Sequence, residues 1–210
     1  MKIVLASSSP RRRELLRMIG LEGFEVIPDT AEEVLPLGSS PEGAVCSVAL
    51  QKAKNVSQSC GFDDIIIAAD TEVYLDGRPL GKPEGPDCAA RMLRSLSGRR
   101  HSVYTGIAIV RGSCDVTAAE VTDVYFRELA DFEIDAYVST GEPMDKAGAY
   151  AAQGRGSVFI ERLEGDFYNV MGLPLHRLYL MLREFCGLRP QIENGEWKIE
   201  NLGTSAGCRA

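Results

Sequence analysis

Ser7-Ser8-Ser9 and Arg11-Arg12-Arg13, set on either side of Pro10, hold the densest chemistry in this chain. The apolar run Ile3-Val4-Leu5-Ala6 leads straight into them and reads as a buried strand. Pro10 suits a first helical turn, where its missing N–H is not needed, and the Ser9 hydroxyl can cap that turn. Free backbone N–H groups, hydroxyls and guanidinium groups would then meet at one junction, which are the parts of a polyphosphate cradle. The plainer reading is a capped helix with a solvated basic first turn. Arginines there oppose the helix macrodipole, and that cost favours an anion site.

Other residue types with chemical potential are spread along the chain. Asp70 directly follows the apolar run Ile65–Ala69. A carboxylate at the carboxyl end of a buried strand is well placed for catalysis, and equally well placed to hold a turn. Glu32 and Glu33 follow Pro28-Asp29-Thr30 and read either as a ligand for a hard cation or as solvated surface. Lys52 belongs to a helical stripe, where a solvated lysine is ordinary. Lys82, in Leu80-Gly81-Lys82-Pro83, sits in a constrained loop and reads as a phosphate contact or a surface lysine. Gln153 closes a run of small residues from Met144 to Gly154, and its amide could read a base edge or simply pack.

Several chemistries are excluded. No Gly-x-x-x-x-Gly-Lys-Ser/Thr appears, so the chain is no Walker-type NTPase. Gly-x-Ser-x-Gly is absent, and Gly154-Arg155-Gly156-Ser157 does not replace it. The only histidines, His101 and His176, lie far apart and read as structural. What is left favours metal-assisted attack by water on a phosphate.

Elements must position these residues, and the pattern supplies them. Helical signals run over Glu14–Ile19, Pro41–Gln58, Pro86–Leu96, Asp131–Thr140 and Leu173–Phe185. Strand signals run over Ile65–Ala69, Val103–Val110 and Thr117–Phe126, the last two read as antiparallel, and a hairpin turns at Asp76-Gly77. A second hairpin is expected over Ile192–Leu202 about Asn194-Gly195, anchored by Trp197, with a frayed tail from Thr204 to Ala210. The alternation predicts an α/β fold.

Composition narrows the partners. With 210 residues and 45 % hydrophobic content the chain can bury a full core. A net charge of −7 argues against nucleic acid and anionic membrane as partners, and a local basic cluster in such a chain suits a small polyanion. No stretch is long and apolar enough to span a bilayer. Six scattered cysteines, Cys46, Cys60, Cys88, Cys114, Cys186 and Cys208, form neither a zinc pattern nor a disulfide framework, and a cytoplasmic location is expected.

Taken in order, these segments resemble the Maf family of nucleoside triphosphate pyrophosphatases. The resemblance rests on Leu5-Ala6-Ser7-Ser8-Ser9-Pro10-Arg11-Arg12, Ala69-Asp70-Thr71, Gly81-Lys82-Pro83, Leu96-Ser97-Gly98 with His101 and Thr105-Gly106, Asp145–Tyr150, Gln153-Gly154 and Asn169–Pro174. It implies a mixed, elongated sheet flanked by helices, with two lobes around a central cleft, as in inosine triphosphatase-like folds. It divides the chain into a Maf-like domain over 1–186 and a C-terminal extension over 187–210. The implied reaction is hydrolysis of a nucleoside triphosphate to monophosphate and pyrophosphate. The Pro10-Arg11-Arg12 junction and the segment Gly165–Val170 resemble the branch acting on dTTP and UTP rather than 7-methyl-GTP. By position, Asp70 is the expected proton acceptor, and Arg11, Thr71 and Gln153 are expected to set substrate choice. Ser7, Ser9, Arg12, Lys52 and Lys82 are expected on the triphosphate, and Glu33 with Asp70 on a divalent cation, Mg²⁺ or Mn²⁺. A homodimer is a further expectation. The alternative is a non-catalytic, nucleotide-sensing regulator of cell division. Ala152 departs from the bulkier aliphatic residue usual in the family.

Overall fold

The computed structural model describes residues 1–34 and 38–201. Its elements, in chain order, are β1 (Ile3–Leu5), α1 (Pro10–Met18), β2 (Glu25–Val26), α2 (Pro41–Ser57), β3 (Ile65–Leu75), β4 (Arg78–Pro79), α3 (Pro86–Leu96), β5 (Arg100–Arg111), β6 (Cys114–Phe126), α4 (Asp131–Ser139), β7 (Ile160–Glu164), α5 (Phe167–Val170), α6 (Leu175–Cys186), β8 (Leu188–Glu193) and β9 (Glu196–Asn201). Helices α1, α2 and α3 each open on proline, and Ser9 and Ser40 cap the first two through their side chains. Short 3-10 turns fill the stretch between α4 and β7.

The fold is mixed α/β. A seven-stranded sheet has the order β2-β1-β3-β5-β6-β7, with β4 added beside β3, and β8 pairs β9 in a separate ribbon. Strand β1 is parallel to β2 and β3, whereas β3–β4 and β6–β7 are antiparallel. Strands β5 and β6 are neighbours joined only through Gly112 and Ser113, a link short enough only for the expected antiparallel hairpin.

The chain divides into two compact units, one of residues 1–70, 105–120 and the described chain from Gly172, the other of residues 71–104 and 121–171. In the first, Val4 and Ala6, Ile66 and Ala68, and Ala108 and Val110 meet Ala49, Ala53 and Val56 of α2. The helix lies very close to β5 at Gly106, where a Cβ would stand 2.3 Å from the Val45 carbonyl carbon. Only glycine fits there. In the second, α3 and α4 bury Leu93, Leu96, Ile134 and Tyr137 with Val103, Val124, Phe126 and Phe159. His101, Phe126 and Tyr150 stack edge-to-face there. His101 Nε2 lies 2.8 Å from the Tyr150 hydroxyl, and burial pushes the imidazole down to about 4 and the phenol up. Both groups are therefore neutral near pH 7, which fits the structural role expected of His101.

Two local expectations are corrected, and one strand has no counterpart among them. Strand β3 does not stop at Asp70 but continues to Leu75. Thr71, Val73 and Tyr74 favour the pleat, and β4 extends the ladder through Tyr74↔Pro79 and Leu75↔Arg78 around Asp76 (φ 51°) and Gly77 (φ 74°). What ends before Asp70 is the pairing with β1, whose last partners are Leu5 and Ile67. Strand β7 carries no strong apolar signal, since Ile-Glu-Arg-Leu-Glu is mostly charged, as suits a sheet edge. The C-terminal hairpin starts earlier than expected, at Leu188, and its buried residues are Leu188 and Ile199, while Trp197 is exposed.

Cys46, Cys60, Cys88 and Cys186 are free thiols, the last buried, with its thiol pushed up to about 12. Cys114 is disulfide-bonded, contrary to the expectation of no disulfide. Leu202, Cys208 and the expected tail from Thr204 to Ala210 lie outside the described residues. No helix among the described residues is long and apolar enough to cross a membrane.

Candidate active site

The chain leaves β1 into a turn that is bonded to itself. Buried Ser7 accepts the Ser9 N–H at 3.2 Å and Arg12 Nη1 at 3.3 Å on its hydroxyl oxygen. Ser9 accepts the Arg12 N–H at 3.5 Å. The Arg12 side chain also donates through Nε to the Gly172 carbonyl at 2.8 Å, so it is held on protein partners rather than spread into water. Burial lowers its pKa, the charge of Asp70 opposes that shift, Arg11 adds to it and Glu33 opposes it. Arg12 thus feels the charges of both carboxylates, which lie in the same unit. Arg11 is half-buried in the same first turn.

Asp70 follows Ile66 and Ala68 at the two-residue period of a strand, so it shares the face that packs on α2. Lys52 lies on α2 between Ala49 and Ala53, both fully buried against that face. Its Nζ stands 2.7 Å from Asp70 Oδ1 and 2.8 Å from Glu33 Oε1. The three side chains differ in shelter, with Asp70 10 %, Lys52 16 % and Glu33 51 % exposed. One cation thus bridges a sheltered carboxylate and an open one. Two oxygens converging on a single positive charge are a fitting pair of protein ligands for Mg²⁺, which completes its shell with water and phosphate oxygens. Among the described residues no group of three or more His, Cys, Asp or Glu gathers to form a fuller cage.

The remaining expected site residues, Thr71, Lys82 and Gln153, lie in the second unit. Thr71 is half-buried on β3, next in the chain to Asp70. Lys82 is exposed, and its loop is pinned where the Gly148 N–H donates to the Gly81 carbonyl at 2.8 Å. Gly148, at φ 70°, presses on Val73 so closely that a Cβ would stand 3.0 Å from it. Gln153 is exposed on a loop after buried Ala151 and Ala152. The structure therefore gathers Ser7, Ser9, Arg12, Glu33, Lys52 and Asp70 in one unit, and gives Thr71, Lys82 and Gln153 separate supports in the other.

Residues to which the sequence reading gave no individual role support these segments. Gly172 supplies the carbonyl that holds Arg12. Lys146 is largely buried and paired with Asp145. Tyr137 and Glu142 bond to the loop that carries Gln153. A carbonyl acceptor leaves no trace in side-chain type, and the Tyr137–Glu142 spacing matches no motif.

Residues 2–185 match the family described as Maf-like protein. The chain belongs to the Maf family. Curated relatives named dTTP/UTP pyrophosphatase, from Bacillus cereus (strain AH820) and from Bacillus anthracis, are each 49 % identical over 184 residues, covering 88 % of this chain and 95 % of theirs. The match ends one residue before the last residue of α6, so β8 and β9 lie beyond it. Among solved structures, a HAM1 protein from Coxiella burnetii aligns with a TM-score of 0.51 at 17 % identity, covering 88 % of this chain and 99 % of that one. That likeness concerns the fold alone, a mixed sheet flanked by helices.

Proposed function

We infer that this Maf protein is a nucleoside triphosphate pyrophosphatase that hydrolyses dTTP and UTP to the monophosphate and pyrophosphate. The observation that carries the reading is the placement of Asp70, sheltered beside Lys52 and Glu33 within electrostatic reach of Arg12. The 49 % identity to relatives named for that activity supports turnover over the sensing regulator.

In the proposed reaction, Asp70 accepts a proton from the water that attacks the α-phosphorus, and the bond to the β-phosphate bridging oxygen breaks. Negative charge then grows on the departing pyrophosphate. Arg12, oriented by Ser7 and the Gly172 carbonyl, and Lys52 supply fixed positive charge that stabilises it without reorganising. Ser9 holds the turn, Arg11 adds a second guanidinium, and Lys82 is proposed as a further phosphate contact. Glu33 and Asp70 are the residues that would hold Mg²⁺ or Mn²⁺, which when bound supplies Lewis-acid stabilisation of phosphate charge. Thr71 and Gln153 are proposed to set the pyrimidine preference. The setting proposed for this activity is the cytoplasm, where it would remove surplus or modified pyrimidine triphosphates.

The test is a panel of nucleoside triphosphates incubated with the protein and Mg²⁺, with monophosphate and pyrophosphate quantified. Equimolar products from dTTP and UTP, with little from purines, are expected. Release of inorganic phosphate in place of pyrophosphate would refute attack at the α-phosphorus.

A further inference from the structure

The loop that carries Gln153 hangs from two side chains upstream of it. The buried Tyr137 hydroxyl, in α4, accepts the Ala151 N–H at 3.0 Å and donates to Glu142 Oε1 at 3.0 Å. Glu142 also accepts the Arg155 N–H on Oε2 and the Gly156 N–H on Oε1, each at 3.3 Å. A tyrosine hydroxyl has one proton to give and lone pairs to accept with, and an ionised carboxylate only accepts, so every polarity in this cluster is satisfied in one sense. Burial disfavours the Glu142 carboxylate, yet the bonds from Arg155, Tyr137 and Gly156 outweigh it and keep the carboxyl below its ordinary range. The fit leaves no slack. A Cβ on Gly154 would stand 2.6 Å from Glu142 Oε1, and one on Gly156 would stand 2.9 Å from the Tyr137 hydroxyl.

Backbone bonds thus fall at Ala151 before Gln153 and at Arg155 and Gly156 after it. A loop tied on both sides holds its exposed side chain in a small volume, whereas an untied loop would have to order on binding. We propose that Tyr137 and Glu142 are positioning residues for Gln153 and through it set the discrimination between pyrimidine and purine triphosphates. This rests on Gln153 reading the base, as proposed above.

The experiment compares Tyr137→Phe, Glu142→Gln and Gln153→Ala, each alone, and Tyr137→Phe combined with Gln153→Ala. Tyr137→Phe keeps the ring that packs edge-on against Phe159 at 5.1 Å, so it is the milder probe of the clamp. For each, kcat and KM are measured on dTTP, UTP, dATP and dGTP, with Tm alongside. Losing one such bond should raise KM for dTTP and UTP about five- to ten-fold and lower the pyrimidine-to-purine ratio of kcat/KM by a similar factor. In Tyr137→Phe and Glu142→Gln, kcat on dTTP should stay within about two-fold, because neither side chain touches a reacting group. The combined variant should lose no more discrimination than Gln153→Ala alone. If Gln153→Ala lowers the ratio and neither clamp variant does, the positioning role is overturned and the base-reading role stands. If Gln153→Ala leaves the ratio intact, base reading by Gln153 fails and the positioning role fails with it. A loss of Tm with kcat and KM for all four substrates moving together would reduce Tyr137 and Glu142 to structural supports and overturn the proposal.

Discussion

The ammonium of Lys52 stands 2.7 Å from Asp70 Oδ1, and the pair joins the middle of α2 to β3 three residues beyond the last β1 partner, Ile67. Both side chains are sheltered, so the charges are screened far less than a surface pair. Glu33 meets the same ammonium from a more exposed position. The two carboxylates on this one ammonium thus differ in shelter, Asp70 being 10 % and Glu33 51 % exposed.

Asp70→Asn keeps the shape of the side chain and removes its capacity as a base. Turnover of dTTP should fall by about 10²- to 10⁴-fold, the usual worth of a positioned general base. Lys52 retains Glu33 as a partner, so the fold and triphosphate binding should persist. Pyrophosphate release measured beside calorimetric binding of dTTP checks both halves, and wild-type turnover in this variant would sink the assignment.

Gly106→Ala tests the packing that places Lys52. The new Cβ would lie 2.3 to 2.5 Å from the backbone of Val45 and Cys46, and backbone cannot swing aside as a side chain can. Helix α2 must lift off β5. The expected cost is about 1–3 kcal/mol, the range for overpacking a core, read as a lower urea midpoint. Because Lys52 rides on the same helix, kcat/KM should fall as well. Unchanged stability would mean that α2 does not rest on β5 at this glycine.

Much of the fold was legible because it follows local rules. The prolines that open helices, the Ser9 cap, the Asp76-Gly77 turn and the apolar run at Ile65 each carry their own signal. The continuation of β3 past Asp70 was not legible, since an apolar run marks burial and not strand length. Strand β7 escaped because an edge strand has little to bury. The approach of Lys52 to Asp70 depends on a helix stacking on a strand 18 residues away in the chain, a tertiary fact with no local trace. Residue types nominated Ser7, Arg12 and Glu33 as candidates. Their mutual bonds, and the Tyr137–Glu142 clamp, could be found only in three dimensions.

His101 should make stability fall in acid. Burial lowers its pKa from 6.5 to about 4, and the nearby charge of Asp123 opposes the shift only in part. Above pH 6.5 neither the folded nor the unfolded chain binds this proton, and the contribution is fully present. Between pH 6.5 and 4 the unfolded chain takes it up and the folded chain does not, so stability drops by about 1.4 kcal/mol per pH unit, to a total of about 3 kcal/mol. Below about 4 the loss levels off. In His101→Phe this slope should vanish. Urea unfolding of both proteins at pH 7.0 and 4.5 measures it, and equal acid sensitivity would refute the buried, neutral imidazole.

The C-terminal ribbon should be held on α1 through one glycine. Trp197 donates its indole N–H to the Ile19 carbonyl at 3.1 Å, and the Ile199 N–H donates to the Gly20 carbonyl at 2.9 Å. Gly20 has φ 78°, and a Cβ there would stand 2.6 Å from the Trp197 carbonyl oxygen. Gly20→Ala therefore combines left-handed strain of about 1–2 kcal/mol with a clash against β9. Gly23, at φ 68° with open space around it, carries the strain alone, so Gly23→Ala is the matched control. Gly20→Ala should lower Tm more than Gly23→Ala, by about 2–4 °C for each additional kcal/mol. Trp197 is the only tryptophan in the chain, so its emission reports the docking directly and should shift to the red in Gly20→Ala alone. Equal Tm losses with unchanged emission would mean that the ribbon does not rest on the end of α1.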